Sequence, residues 1–164
     1  MTILAGYSEK NISLRKGMKM IGYGARNEGA QGIHDPLKVK SYFFTDGITK
    51  FIMISCDLMG LSADFIQNIN KKISKIIEIK EQNIIIAATH THSGPASMSV
   101  ANSGVLIEQL LGNLEETILA CALAAYNDKR DCKINYITGS SYIGYNRVLA
   151  SEIGKKKATN EIDE

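Results

Sequence analysis

Two apolar runs separated by one amphipathic segment constrain this chain more than anything else in it. Lys50 to Asp57 reads Lys-Phe-Ile-Met-Ile-Ser-Cys-Asp, nearly all apolar after the lysine, as expected of a strand buried on both faces. Leu61, Phe65, Ile69, Ile73, Ile76 and Ile77 then recur on one face of a helix. Ser62 supplies an N-cap, and Asp64 falls in the first turn, where the helix dipole favours a carboxylate. Lys71, Lys72, Lys75 and Glu78 take the wet side. After this segment comes Ile84-Ile85-Ile86-Ala87-Ala88, short and β-branched, which reads as another buried strand. Strand 50–57, helix 62–79 and strand 83–90 make a βαβ unit, whose strands are parallel and whose crossover is right-handed. The fold class is therefore α/β, a mixed β-sheet with flanking helices.

The remaining elements fit around that unit. Ile3 to Ile12 reads as a first strand, and Leu37 to Phe44 as a strand joined to the next by the hairpin signal Asp46-Gly47. Leu106 to Ala125 carries a wide apolar surface and predicts a long helix over 105–127. Cys132, Ile134 and Tyr136 alternate with polar residues and predict a strand over 132–138. A chain of 164 residues suits one domain with a sizeable core.

Composition excludes several classes. The hydrophobic fraction is 45% and the charged fraction 22%, which fits a folded chain. A net charge of +2, with no basic stripe carrying interleaved aromatics, argues against nucleic acid as a partner. No apolar run reaches the roughly 18 to 20 residues of a membrane span, and residues 1–16 lack the apolar stretch of a secretory signal. The expected location is the cytoplasm. Cys56, Cys121 and Cys132 are odd in number and widely spaced, and read as reduced packing cysteines. Oligomeric state leaves no mark in the sequence.

The βαβ unit also says where chemistry belongs, because ligands in open α/β sheets bind beyond the carboxyl ends of the strands. Asp57 closes one of the parallel strands. The other runs into Thr89-His90-Thr91-His92-Ser93-Gly94-Pro95. If the strand geometry persists through Thr91, His90 and His92 project to the same side. Two such imidazoles can grip a transition metal or move protons. A carboxylate and two imidazoles thus share one rim. The loop from Gly22 to Gly32 holds four glycines, a pattern that calls for unusual backbone angles or close approach by another group. Its spacing is neither a dinucleotide fingerprint nor a P-loop. His34 follows it as a candidate to face the site, and Arg147 as a candidate to reach a carboxylate, a phosphate or an oxyanion.

These residues resemble the neutral/alkaline (non-lysosomal) ceramidase family, at the start of its N-terminal catalytic domain. The matching pieces are Ala5-Gly6-Tyr7, Asn11-Ile12, Met20-Ile21-Gly22-Tyr23, Gly32-Ile33-His34, Ser55-Cys56-Asp57-Leu58, Ala88 to Pro95, and Asn146-Arg147. The resemblance implies a zinc-dependent amidohydrolase that cleaves N-acylsphingosine, or a related small-molecule or lipid amide, to an amine and a fatty acid. It implies zinc on His90 and catalytic roles for His92 and Arg147 at the substrate or oxyanion. Asp57, His34, Ser93 and Gly94 are site-lining candidates. The family completes its zinc site with a histidine, a glutamate and a tyrosine further along, and this sequence has no histidine after His92. The expectation is an N-terminal fragment of a longer catalytic domain. The metallo-β-lactamase pattern also opens His-x-His but continues with Asp-His, where this chain has Gly94-Pro95. The competing reading is a non-catalytic α/β interaction module with a vestigial histidine pair.

Overall fold

The computed structural model describes residues 2–98 and 108–141. The chain divides into two compact units, Met1–Lys133 and Ile134–Glu164. In the second unit, residues 134–141 have no regular secondary structure.

The described residues of the first unit form five strands and two helices. They are β1 (Ile3–Asn11), β2 (Lys38–Thr45), β3 (Lys50–Cys56), α1 (Ala63–Ile77), β4 (Ile84–Ala88), α2 (Glu108–Asn127) and β5 (Arg130–Cys132), with one 3-10 turn at Glu81–Asn83. The strand order is β4-β3-β2-β1-β5. Among the described strands only β3 and β4 pair in parallel, with Ile52 opposite Ile84 and Cys56 opposite Ala88. The other pairings are antiparallel, so the sheet is mixed, and β3-α1-β4 is the crossover unit.

Local chemistry sets the helix ends. Ser62 accepts a hydrogen bond from the Phe65 N–H at 3.3 Å, which satisfies one orphan donor of the first turn. At the other end Glu78 takes a left-handed conformation, φ 51°, and the Lys50 ammonium donates to the carbonyls of Ile77 and Glu78. A cation at a helix C-terminus is favoured by the dipole and by the unpaired carbonyls there.

Both helices share one core with one face of the sheet. Val39, Phe43, Ile52, Ile54 and Cys56 pack with Ile69, Ile73 and Ile77 of α1 and with Leu110, Leu114, Ile118 and Cys121 of α2. α2 comes so close to β1 that a Cβ on Gly6 would lie 1.9 Å from the Ala125 carbonyl oxygen; only glycine fits there.

The structure corrects two expectations. The strands over 50–57 and 83–90 are not buried on both faces: Met53 of the first is 41% exposed and Ile85 of the second 47%. The described helices pack on one face, and the other carries Tyr7, Tyr42, Met53 and Ile85 in one row across four strands. The strand over 132–138 shrinks to Arg130–Cys132. Its ladder sets Cys132 against Ile3, so the next pair would need Thr2, which lies outside β1. The helix over 105–127 is described from Glu108, and residues 105–107 lie outside the described residues.

Candidate functional site

β3 and β4 end side by side, and the chain after each of them builds the site. The Thr89 N–H donates to the Cys56 carbonyl at 3.0 Å, and the His90 N–H to the Leu58 carbonyl at 2.9 Å. These bonds carry the β3–β4 pairing past the last regular residue. The strand conformation itself does not persist. His90 sits at φ 62°, a left-handed conformation uncommon for a residue with a Cβ, though histidine is among the side chains that visit it.

This turn, and not strand alternation, brings the imidazoles together. The His90 and His92 rings lie 4.9 Å apart, centroid to centroid, at 67°. The expected convergence is present, but its geometric cause is different.

The His90 ring is oriented by a backbone carbonyl. Its Nδ1 lies 2.8 Å from the Met59 carbonyl oxygen. A carbonyl only accepts, so Nδ1 carries the proton and Nε2 of the neutral ring keeps its lone pair. His90 is exposed, so that lone pair is open to approach.

His92 is held from the glycine-rich loop. Gly22 stands at φ 111°, and a Cβ there would fall 2.6 Å from the His92 Cβ. The expectation that this loop needs unusual angles and close approach holds at that residue. Tyr23 meets the His92 ring edge-on, at 5.7 Å and 85°. Arg26 donates from Nη1 to the His92 carbonyl at 3.3 Å and places its guanidinium 4.8 Å from the Tyr23 ring centre.

The end of the block is pinned from the same side of the sequence. Met20 bridges Pro95 in antiparallel fashion, the Ala96 N–H donates to the Lys19 carbonyl at 2.9 Å, and the Ile21 N–H to the Gly94 carbonyl at 3.3 Å. The Ser97 hydroxyl donates to the Gly60 carbonyl at 2.7 Å. Sequence reasoning did not find this pairing, because an isolated bridge between distant residues leaves no local periodicity.

The remaining candidates are distributed around this turn. Asp57 is on the same rim, yet its Oδ2 accepts from the Lys38 N–H at 3.1 Å while its own N–H donates to the Lys38 carbonyl at 2.9 Å. It therefore closes the β2–β3 ladder. His34 is almost fully exposed and pairs through Nδ1 with Asp35 at 2.7 Å. It lines a groove of about 520 Å³ with Ser93, Gly94, Thr91 and the apolar side chains of Leu14, Met18 and Met20. Arg147 lies outside the described residues.

The donor set suits a metal in part. His90 offers an oriented imidazole nitrogen, fixed through its other nitrogen as metal-binding histidines commonly are. Among the described residues no group of three or more His, Cys, Asp or Glu side chains is placed to hold a metal ion.

The family model for neutral/alkaline non-lysosomal ceramidase, N-terminal, matches residues 11–138. The chain belongs to this family. A neutral ceramidase from Mycobacterium tuberculosis (strain ATCC 25618 / H37Rv) is 31% identical over 86 residues, covering 46% of this chain and 13% of that protein. The crystal structure of neutral ceramidase from Pseudomonas aeruginosa matches with a TM-score of 0.70 at 18% identity, over 80% of this chain and 22% of that one. A ceramidase complexed with C2 matches by the same figures. These structural likenesses establish a shared fold. The chain thus spans 13% and 22% of the length of these relatives. No helix among the described residues is long and apolar enough to cross a membrane.

Proposed function

We propose that this chain is part of the catalytic domain of a ceramidase-like hydrolase, zinc-dependent, that cleaves the amide of N-acylsphingosine or a closely related amide. The observation that carries the reading is the His90 ring: Nδ1 is tied to the Met59 carbonyl at 2.8 Å, Nε2 is left as an acceptor, and the ring sits inside the matched family segment.

In this reading His90 is a zinc ligand through Nε2. Zinc at such a site polarises a substrate carbonyl and makes hydroxide available at neutral pH. His92, 4.9 Å from His90 between ring centres, takes or returns a proton at the scissile amide. Arg147 stabilises the oxyanion. Ser93, Gly94 and His34 line the approach, and the remaining zinc ligands come from chain beyond this segment. Asp57 holds the rim in shape.

The test is hydrolysis of an N-acylsphingosine by the longest chain that carries this segment, alongside its His90→Ala variant. Activity lost in the variant and on chelation supports the reading. Equal activity in the variant contradicts it. The second reading is a non-catalytic module. Metal-independent folding with no hydrolysis in any longer chain is its signature.

A further inference from the structure

We propose that Tyr23 and Arg26 are positioning residues, acting as a stacked brace from the glycine-rich loop that fixes the His92 imidazole beside His90. The inference deepens the function proposed above and rests on His92 being part of that site.

Four groups form one chain of contacts. The Arg26 guanidinium lies 4.8 Å from the Tyr23 ring centre, Tyr23 meets His92 edge-on at 5.7 Å, and His92 meets His90 at 4.9 Å. Two hydrogen bonds to backbone carbonyls close the brace. The Arg26 N–H donates to the Tyr23 carbonyl at 3.1 Å, and Arg26 Nη1 donates to the His92 carbonyl at 3.3 Å. The guanidinium therefore grips both the residue that is braced and the ring that braces it.

Core packing does not account for Tyr23, which is 58% exposed. A large ring left at the surface is ordered there by a cation on one side and an imidazole on the other, contacts whose attraction comes from the ring quadrupole. Among the described residues the His92 imidazole is met by ring contacts, while the hydrogen bond from Arg26 falls on its carbonyl, so the brace itself takes up neither ring nitrogen. A histidine oriented this way gains geometric definition without giving up a nitrogen, which is what a group that must exchange protons requires. Gly22 makes the approach possible, since any side chain there would occupy the place of the His92 Cβ.

The experiment is NMR of the 164-residue chain, reading the His92 χ1 couplings and the cross-relaxation between the Tyr23 and His92 ring protons. The wild-type chain is expected to show one His92 rotamer and direct Tyr23–His92 contacts. Tyr23→Phe keeps both, because the ring and not the hydroxyl does the bracing. Tyr23→Ala averages the His92 couplings over several rotamers, while the β-sheet amide shifts stay in place. Arg26→Gln removes the stacked cation and gives partial averaging; it also serves if Tyr23→Ala does not fold. His92 locked in its wild-type rotamer in both Tyr23→Ala and Arg26→Gln would overturn the proposal. So would Tyr23→Phe behaving like Tyr23→Ala. Because the readout is ring geometry, a longer chain carrying this segment that keeps the brace intact and fails to take up zinc would contradict the zinc reading and leave this one standing.

Discussion

Two turns at opposite ends of β3 are built by opposite means. The Thr45–Thr49 turn that joins β2 to β3 is held by its own residues. The Asp46 carboxylate accepts the Ile48 and Thr49 N–H groups at 2.9 and 2.6 Å, and the Thr45 hydroxyl donates to the Thr49 carbonyl at 2.7 Å. The turn after β4, from Thr89 to Pro95, is held by residues 30 to 80 positions away in sequence. Met59 orients His90, Gly22 and Arg26 hold His92, and Met20 and Lys19 pin Pro95 and Ala96. A turn that only reverses the chain can carry its own instructions. A turn that must aim two imidazoles at one place borrows its geometry from the rest of the domain.

Each turn depends on one glycine with a positive φ, which gives the most direct way to break the comparison. Gly22→Ala combines φ 111° with a Cβ 2.6 Å from that of His92. It is expected to cost about 2–4 kcal/mol, from backbone strain and overpacking together, and to move the His90 and His92 ring resonances. Gly47→Ala has φ 91° and open space around the new Cβ. Strain alone remains, about 1–2 kcal/mol, and the histidine resonances should not move. Urea denaturation with side-chain NMR measures both. Equal costs, or histidine shifts from Gly47→Ala, would erase the distinction.

Two aspartates sharpen it further. Asp57→Ala leaves the Lys38 N–H at the start of β2 without its acceptor, a loss of about 1 kcal/mol. If Asp57 only closes the ladder, His90 and His92 keep their wild-type spectra in that variant. Changed ring contacts would instead make the carboxylate a direct member of the site.

The smallest effect is a pH dependence. Hydrogen bonds from the Thr49 and then the Ile48 amide hold the Asp46 carboxyl below the ordinary carboxylate range. A carboxyl whose folded pKa is depressed contributes stability that is present above its unfolded pKa and lost as pH falls through the folded one. Thermal melts should therefore separate the wild type from Asp46→Ala at neutral pH, with the gap narrowing on acidification. A gap that widens toward low pH would contradict the assignment.

The same contrast explains what was legible in the sequence. The apolar period of α1, the Ser62 cap and the Asp46-Gly47 turn are local signals, and the βαβ unit follows from them with its parallel pairing. That both histidines converge was readable from their spacing, but the cause was not. Strand alternation places two side chains on one side with no further help, whereas the left-handed His90 needs Leu58 and Met59 to receive its N–H and its ring. The open face of β3 and β4 escaped for a related reason, since an all-apolar strand looks alike whether one face or both are covered. Tyr23 and Arg26 lie in a segment marked by its glycines and by one piece of the family resemblance, and nothing local to it points to His92.

The most direct measurement is the tautomer of His90, read from two-bond proton–nitrogen couplings in the ring of the wild-type chain at a pH where the imidazole is neutral. A proton on Nδ1, bonded to the Met59 carbonyl, with Nε2 bare and shifting on addition of zinc, is the predicted result. A proton on Nε2, or a ring that exchanges freely between tautomers, would contradict the claim that this turn prepares His90 to bind a metal.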